Sequence, residues 1–329
     1  MLDIIAVGSA TKDIFLDAKD LQKHDNLVLP LGEKIELKNI RYFSGGGGLN
    51  AATTFALQGL KTGFCGVLGQ DLAGQEIIDE LNKKGIDASM VRVKSREKTD
   101  IGLILHAQIE RTILLFHGAS RTLNEKDIDW QGLKNAKWLY LAPLWEQAAA
   151  LTEKLVNFAY QNKVKIALNP SLDQLVLKNI GQILEKIDVL ILNDDEASFL
   201  TGIKPFKEKA IFQKLAPNCL TPEVKHYVVV TRGKKGALAC DGKFIYNVPA
   251  PLVKVVDATG AGDSFGSGFV AGLTAKHGRS DLPRIIERAL KLAMSNAISN
   301  ILVVGANQGL LKKGQPLLKI KVRKRAWSA

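Results

Sequence analysis

Six short runs of consecutive apolar residues, "DIIAVG", "GFCGVLG", "WLYLAP", "KIALNP", "VLILN" and "YVVVTRG", recur along the chain. A strand that is apolar at nearly every position, and not at alternate ones, has both faces covered, as parallel strands flanked by helices do. Between the runs lie segments with apolar residues at helical spacing, such as "LNAATTFALQGL", "GQEIIDELNKKG", "EQAAALTEKLVNFAYQNK" and "SFGSGFVAGLTAKHG". This alternation predicts an α/β sandwich with right-handed crossovers. A chain of 329 residues with 46% hydrophobic content can bury one such core and an appended smaller element.

Two regions break the rhythm. From about Asp13 to Ser44 and from about Lys98 to Gly118, β-prone runs including "DIGLILHAQ" and "RTILLFHG" occur with no helix between them. Strands without crossover helices join a parallel sheet poorly, so these are expected to pair with each other as a small β-sheet lid over a site. The expected division is a core of 1–12, 45–97 and 119–310, a lid of 13–44 and 98–118, and a basic C-terminal tail of 311–329.

Several function classes are disfavoured. The chain has no run of 18 or more apolar residues, and its start lacks the basic flank and cleavage site of a signal peptide. A cytoplasmic protein without a membrane partner is expected. Cys65, Cys219 and Cys240 are odd in number and far apart, which suggests neither a disulfide framework nor a CxxC metal site. Lysine and arginine total 45 against 33 acidic residues, a net charge of +12. Apart from "KIKVRKRA" near the end, the cations are dispersed, with no zinc finger or RNP motif, so nucleic acid is not the expected partner.

Three stretches concentrate chemistry. In "VVDATGAGDSF", Gly260, Ala261, Gly262 and Asp263 lead into a helix, whose first N–H groups lack partners and carry the positive end of the dipole. Glycines there let backbone approach an oxyanion, and a carboxylate beside that anion is costly unless it accepts a proton. A helix cap at Asp263 is the other local reading. In "FSGGGGLNAATTFALQG", consecutive glycines precede Asn50 without the GxGxxG or GK[ST] pattern of dinucleotide or P-loop sites. In "LILNDDEASFLTG", Asn193 and Glu196 follow a strand end, with spacing that suits either a hydrated magnesium ion or a capping box.

Together, in order and wide spacing, "GGGGLNAA", "NDDE" and "DATGAGDSF" resemble the ribokinase-like, or PfkB, family of carbohydrate kinases over the chain to about Gly309. The resemblance implies an α/β fold with a Rossmann-like three-layer α/β/α core and a small β-sheet lid, and transfer of the ATP γ-phosphoryl group to a substrate hydroxymethyl, with ATP and Mg2+ required and K+ left open. It implies Asp263 as base, Gly260, Ala261 and Gly262 as anion hole, and Asn193 and Glu196 as the magnesium-linked motif. Asp13, Gly46, Gly47 and Asn50 match substrate-contacting positions. Thr231 and Gly233 are expected near ATP, and Asn300, Gly305 and Ala306 near the adenine or a monovalent cation. A sugar substrate of the ribokinase or fructokinase kind is expected. Glu146 stands behind Pro143, Leu144 and Trp145, displaced from the acidic position many ribokinases carry, which weighs against ribose itself, while a nucleoside substrate stays open. Trp145 and Phe116 are candidates to stack on a base. A catalytically silent sugar- or nucleotide-binding regulator is the rival from another class. Exposed strand edges on the lid leave a homodimer open.

Overall fold

The computed structural model describes residues 1–107, 110–205, 207–219, 227–274 and 282–326. The apolar runs become strands of one sheet. Those six, β1 (Leu2–Val7), β6 (Thr62–Gly69), β10 (Ala136–Leu141), β11 (Lys165–Leu168), β12 (Val189–Asn193) and β13 (Tyr227–Thr231), make seven parallel strands with β7 (Val91–Lys94). Three more continue the sheet antiparallel: β14 (Ala237–Cys240), β15 (Phe244–Val248) and β16 (Arg323–Ala326). The order is β16-β15-β14-β13-β12-β11-β10-β1-β6-β7.

Helices α1 (Gly47–Leu57), α2 (Leu72–Lys83), α9 (Ala261–Thr274) and α10 (Leu282–Ile301) cover one face. On the other lie α3 (Trp130–Lys134), α4 (Leu151–Gln161), α5 (Leu172–Leu175), α6 (Ile180–Leu184), α7 (Asp194–Thr201) and α8 (Glu208–Cys219). Strand pleating explains the two cores. Ile4 and Ala6 of β1 join Phe55, Tyr140 and Phe269 on the first face, while Ile5 and Val7 join Leu155, Leu168 and Phe212 on the second. The three-layer α/β/α architecture is as the sequence predicts.

The chain builds outward from β1 to β6 and β7, then returns to place β10 on the other flank of β1. That reversal opens a crevice at the carboxyl ends of β1 and β10, where open α/β sheets bind ligands. At its floor a Cβ on Gly8 would lie 2.7 Å from the Ala142 Cβ and 3.0 Å from the Gly48 Cα, so the start of α1 packs directly against the end of β1.

Four further strands form a separate sheet in the order β5-β2-β8-β9, from β2 (Thr11–Asp17), β5 (Ile40–Gly45), β8 (Asp100–His106) and β9 (Arg111–Phe116). A two-stranded ribbon, β3 (Gln22–Lys23) with β4 (Asn26–Leu27), lies between β2 and β5 in the chain. Register sorts the sheet's two faces. Phe43, Asp13, Gly102 and Leu115 lie in one cross-strand row, so alternate residues Thr11, Asp13, Phe15, Ile104, His106, Arg111 and Leu115 share an inner face. Tyr42, Ile14, Leu103, Leu114 and Phe116 fall on the outer face, where Leu114 is 49% and Phe116 50% exposed. Phe116 therefore points away from the row holding Asp13, unlike the base-stacking role weighed from sequence.

The basic stretch at the end supplies the sheet's outermost strand. Lys324 Nζ sits 3.6 Å from the Phe244 ring centroid, and Arg325 Nη2 lies 2.8 Å from Glu208 Oε2. Cys65 and Cys240 are free and buried, and the Cys219 side chain lies outside the described residues. No helix among the described residues is long and apolar enough to cross a membrane.

Candidate active site

Helix α9 begins at Ala261, which puts Asp263 in its first turn. The turn before it, from Asp257 to Gly260, is tied down by one buried carboxylate. Asp257 Oδ1 accepts from the Thr259 amide at 2.9 Å and the Thr259 hydroxyl at 2.7 Å, and Oδ2 accepts from the Gly305 amide at 3.0 Å. The two glycines of the turn differ in use. Gly260 has φ +76°, and a Cβ there would lie 2.1 Å from the Ala306 carbonyl oxygen, so it backs directly onto the 305–306 loop. A Cβ on Gly262 would meet nothing within 4 Å, which leaves open space in front of the helix N-terminus.

Asp263 is reached from α1. Asn50 Nδ2 donates to Asp263 Oδ2 at 2.9 Å, across 213 residues of sequence, while the buried Asn50 Oδ1 has no partner among the described residues. A Cβ on Gly47 would lie 3.0 Å from Pro143 Cδ and 3.5 Å from Asp263 Oδ1. A side chain at 47 would press on Pro143 and stand in van der Waals contact with the carboxylate. Gly46, at φ +93°, turns the chain into α1 against the Ser9 carbonyl. Burial raises the Asp263 pKa, and the Asn50 amide partly offsets that.

The remaining sequence candidates fall on three sides of this centre. Asp13 is buried on the lid's inner face and accepts from Thr11 Oγ1 at 2.7 Å. Gly45 and Gly102 flank it on neighbouring strands, and a Cβ on either would lie within 2.7 Å of its carboxylate. Asn193 and Glu196 close a reciprocal capping box on α7: each side chain accepts from the other's amide at 2.8 Å. Burial raises the Glu196 pKa against the opposing Asn193 amide, and the Asp195 and Asp263 charges add to the rise, so Asp263 lies within electrostatic reach of this box. Thr231 ends β13 next to Asn193, and Gly233 follows at φ +51°. Asn300 is fully buried and donates its amide to the Gly305, Ala306 and Gln308 carbonyls at 3.0–3.1 Å, shaping the loop on which Gly260 rests.

A nucleotide phosphate fits the open front of this turn, where Gly262 leaves space before the first turn of α9, although the Ala261 N–H already donates to the Ala258 carbonyl at 3.3 Å. A divalent ion fits less as a protein-caged metal than as one held through water and phosphate. Asn193 and Glu196 offer few oxygens, and no cluster of three or more metal-ligating side chains exists among the described residues.

From the sequence, Asp257 and His106 carry no assigned role, and Arg111, like Arg121, reads either as a contact for an anionic substrate or as solvated surface. Asp257 stands in the quoted motif, and its spacing to Thr259 is that of an aspartate turn, a usable local signal. Arg111 and His106 of the lid reach Asp257 and Val256, a contact that only tertiary structure discloses. Trp145 packs against His117, ring centroids 5.6 Å apart, and Glu146 pairs with Arg121 at 3.9 Å.

Burial, with the Asp257 charge adding to it, pushes the Asp13 pKa up to about 6 from 3.8. The folded state thus holds this proton more tightly than the unfolded chain. The resulting stability is complete below about pH 3.8 and lost as pH rises through about 6, a difference of about 3 kcal/mol. Asp13→Asn should therefore melt higher than the parent protein at pH 8 and alike at pH 3.5. Equal melting temperatures at pH 8 would contradict the buried-charge account.

The chain matches the sequence profile of the pfkB family of carbohydrate kinases over residues 1–303. It is 26% identical to a ribokinase of Haemophilus influenzae over 287 residues, covering 87% of this chain and 90% of that one. It is 27% identical to a cytidine kinase of Thermococcus kodakarensis over 296 residues, covering 88% and 95%. The structure of Arabidopsis thaliana ribokinase complexed with ribose and ATP superposes with a TM-score of 0.73 at 24% identity, covering 94% of this chain and 96% of that one. With its profile matched across almost its whole length, the chain belongs to the pfkB family of carbohydrate kinases, phosphotransferases that act on alcohol groups.

Proposed function

We propose that the protein transfers the γ-phosphoryl group of ATP to a hydroxymethyl group of a sugar, with Asp263 as general base. The observation that carries this reading is the Asp263 carboxylate, oriented by Asn50 at 2.9 Å beside an open, glycine-floored helix N-terminus. In this reading the acceptor's hydroxyls are held by Asp13 and by backbone at Gly46 and Gly47, and Asn50 orients both base and acceptor. Asp263 takes the proton of the attacking hydroxyl while Gly260, Ala261 and Gly262 present N–H groups to the transferring phosphoryl oxygens. Transfer is direct and in line, so the chain's contribution is positioning and electrostatics. Thr231, Gly233, Asn300, Gly305 and Ala306 border the nucleotide, Asn300 by shaping the loop. When bound, Mg2+ neutralises phosphate charge, and Asn193 and Glu196 hold its water shell. Potassium is the candidate monovalent activator at the 305–306 loop, and the cytoplasm the proposed location.

A nucleoside acceptor is the second reading. The half-buried Trp145 and His117 rings beyond the β10 end and the cytidine kinase relative support it. ADP release from ATP and Mg2+ across pentoses, hexoses, nucleosides and phosphosugars separates the two readings. Silence with every acceptor, despite ATP binding, would favour a non-catalytic regulator.

The apolar outer face of the lid supports self-association through a second copy. Sedimentation should give a dimer, and Leu114→Lys with Phe116→Lys a monomer. A monomeric parent protein would end this proposal.

A further inference from the structure

We infer that Arg111 is a positioning residue that couples the lid to the anion turn through Asp257. The inference rests on the reading of that turn as the phosphate site. Arg111 opens β9, and in register it faces His106 of β8. This cross-strand pair grips two consecutive residues just ahead of the turn. His106 Nε2 lies 3.1 Å from the Val256 carbonyl, and Arg111 Nε lies 3.8 Å from Asp257 Oδ1. The other end of β9 is fixed to the core: Asp100 accepts from the Gly118 and Ser120 amides at 3.0 Å each and from the Ser120 hydroxyl. The hairpin is therefore anchored at one end and adjustable at the other.

The adjustable end is incomplete. The Arg111 guanidinium is held on one side, where Nη1 donates to Glu110 Oε1 at 2.8 Å, but its Nε is buried and has no hydrogen-bond partner among the described residues, although a buried donor without an acceptor is costly. At 3.8 Å it is paired by charge with Asp257 and about one ångström short of a hydrogen bond. A small inward movement of the lid completes that bond. Asp257 is the residue whose other contacts hold Thr259 and Gly305, and through them Gly260 on Ala306. Lid position is thereby transmitted to the N–H groups that face the phosphate. Asp13 lies on the same inner face as Arg111, so an acceptor drawn against Asp13 pulls the sheet that carries Arg111. By linkage, a nucleotide on the turn draws the lid inward in return.

The test is hydrogen exchange of residues 100–106 and 111–116 with and without a non-hydrolysable ATP analogue and Mg2+. In the parent protein the analogue should slow exchange of these strands about tenfold, within the usual range of site-to-site coupling. In Arg111→Met the slowing should disappear and analogue affinity should fall about five- to tenfold, while a cooperative melting curve shows that the variant is still folded. Arg111→Lys, which keeps charge without the Nε donor, should recover only part of either effect. Asp257→Asn alone should lose the coupling, and adding Arg111→Met should cost nothing further. Unchanged slowing in Arg111→Met, or costs that add in the double variant, would overturn the inference. The readout is independent of phosphoryl transfer, so failure of Asp263 as base would leave it interpretable on its own.

Discussion

Asp263→Asn is expected to lower turnover by roughly two to four decades, the scale of a positioned general base, with the best acceptor of the panel at saturating ATP and Mg2+. The replacement is isosteric and still meets the Asn50 side chain, so geometry is retained and only the proton acceptor is lost. Burial already disfavours the charge at this position, so melting temperature should hold or rise. A variant that keeps near-parental turnover would remove Asp263 from the chemistry. A variant that unfolds would point to a cap instead of a base.

The second large effect is expected at Gly260. Gly260→Ala forces a left-handed backbone onto a residue with a Cβ, roughly 1–3 kcal/mol, before counting the collision with the Ala306 carbonyl. Neither neighbour is a flexible side-chain tip, so the 305–306 loop and the turn must separate. The displaced N–H groups should cost about two to three decades in turnover, the scale of a lost oxyanion donor. Gly262→Ala is the contrast, because it stands in the first turn of α9 with open space around it. Its stability should be unchanged or higher by up to about 1 kcal/mol. Comparable destabilisation by the two substitutions would refute the division of labour between the two glycines.

Much of this arrangement is legible in the chain because local physics writes it there. Parallel strands buried on both faces advertise themselves as unbroken apolar runs, and the lid does so by strands that lack intervening helices. Asn193 and Glu196 are legible as a capping box for the same local reason. What is not legible is set by partners far away. Asn50 reads as a ligand-facing amide, and its hydrogen bond to Asp263 is invisible without the fold. Asn300 reads as a nucleotide neighbour, but its amide is consumed by three carbonyls of its own loop. Strand β16 has no apolar pattern. It forms because β15 offers a pairing edge, with Phe244 and Tyr246 as a surface for the Lys324 ammonium.

That last strand also bears on how copies of the chain meet. A sheet edge is a row of unpaired amides and carbonyls that will template another strand unless something prevents it. Here the ten-stranded sheet ends in Arg323, Lys324 and Arg325, all exposed, so two molecules approaching by this edge bring cation against cation. The lid's β9 edge carries Ile113, Leu114 and Leu115 in sequence, with its one cation, Arg111, turned toward Glu110 and Asp257. Charge on β16 thus works against strand pairing along that edge of the large sheet, a deterrent the apolar stretch of β9 does not carry.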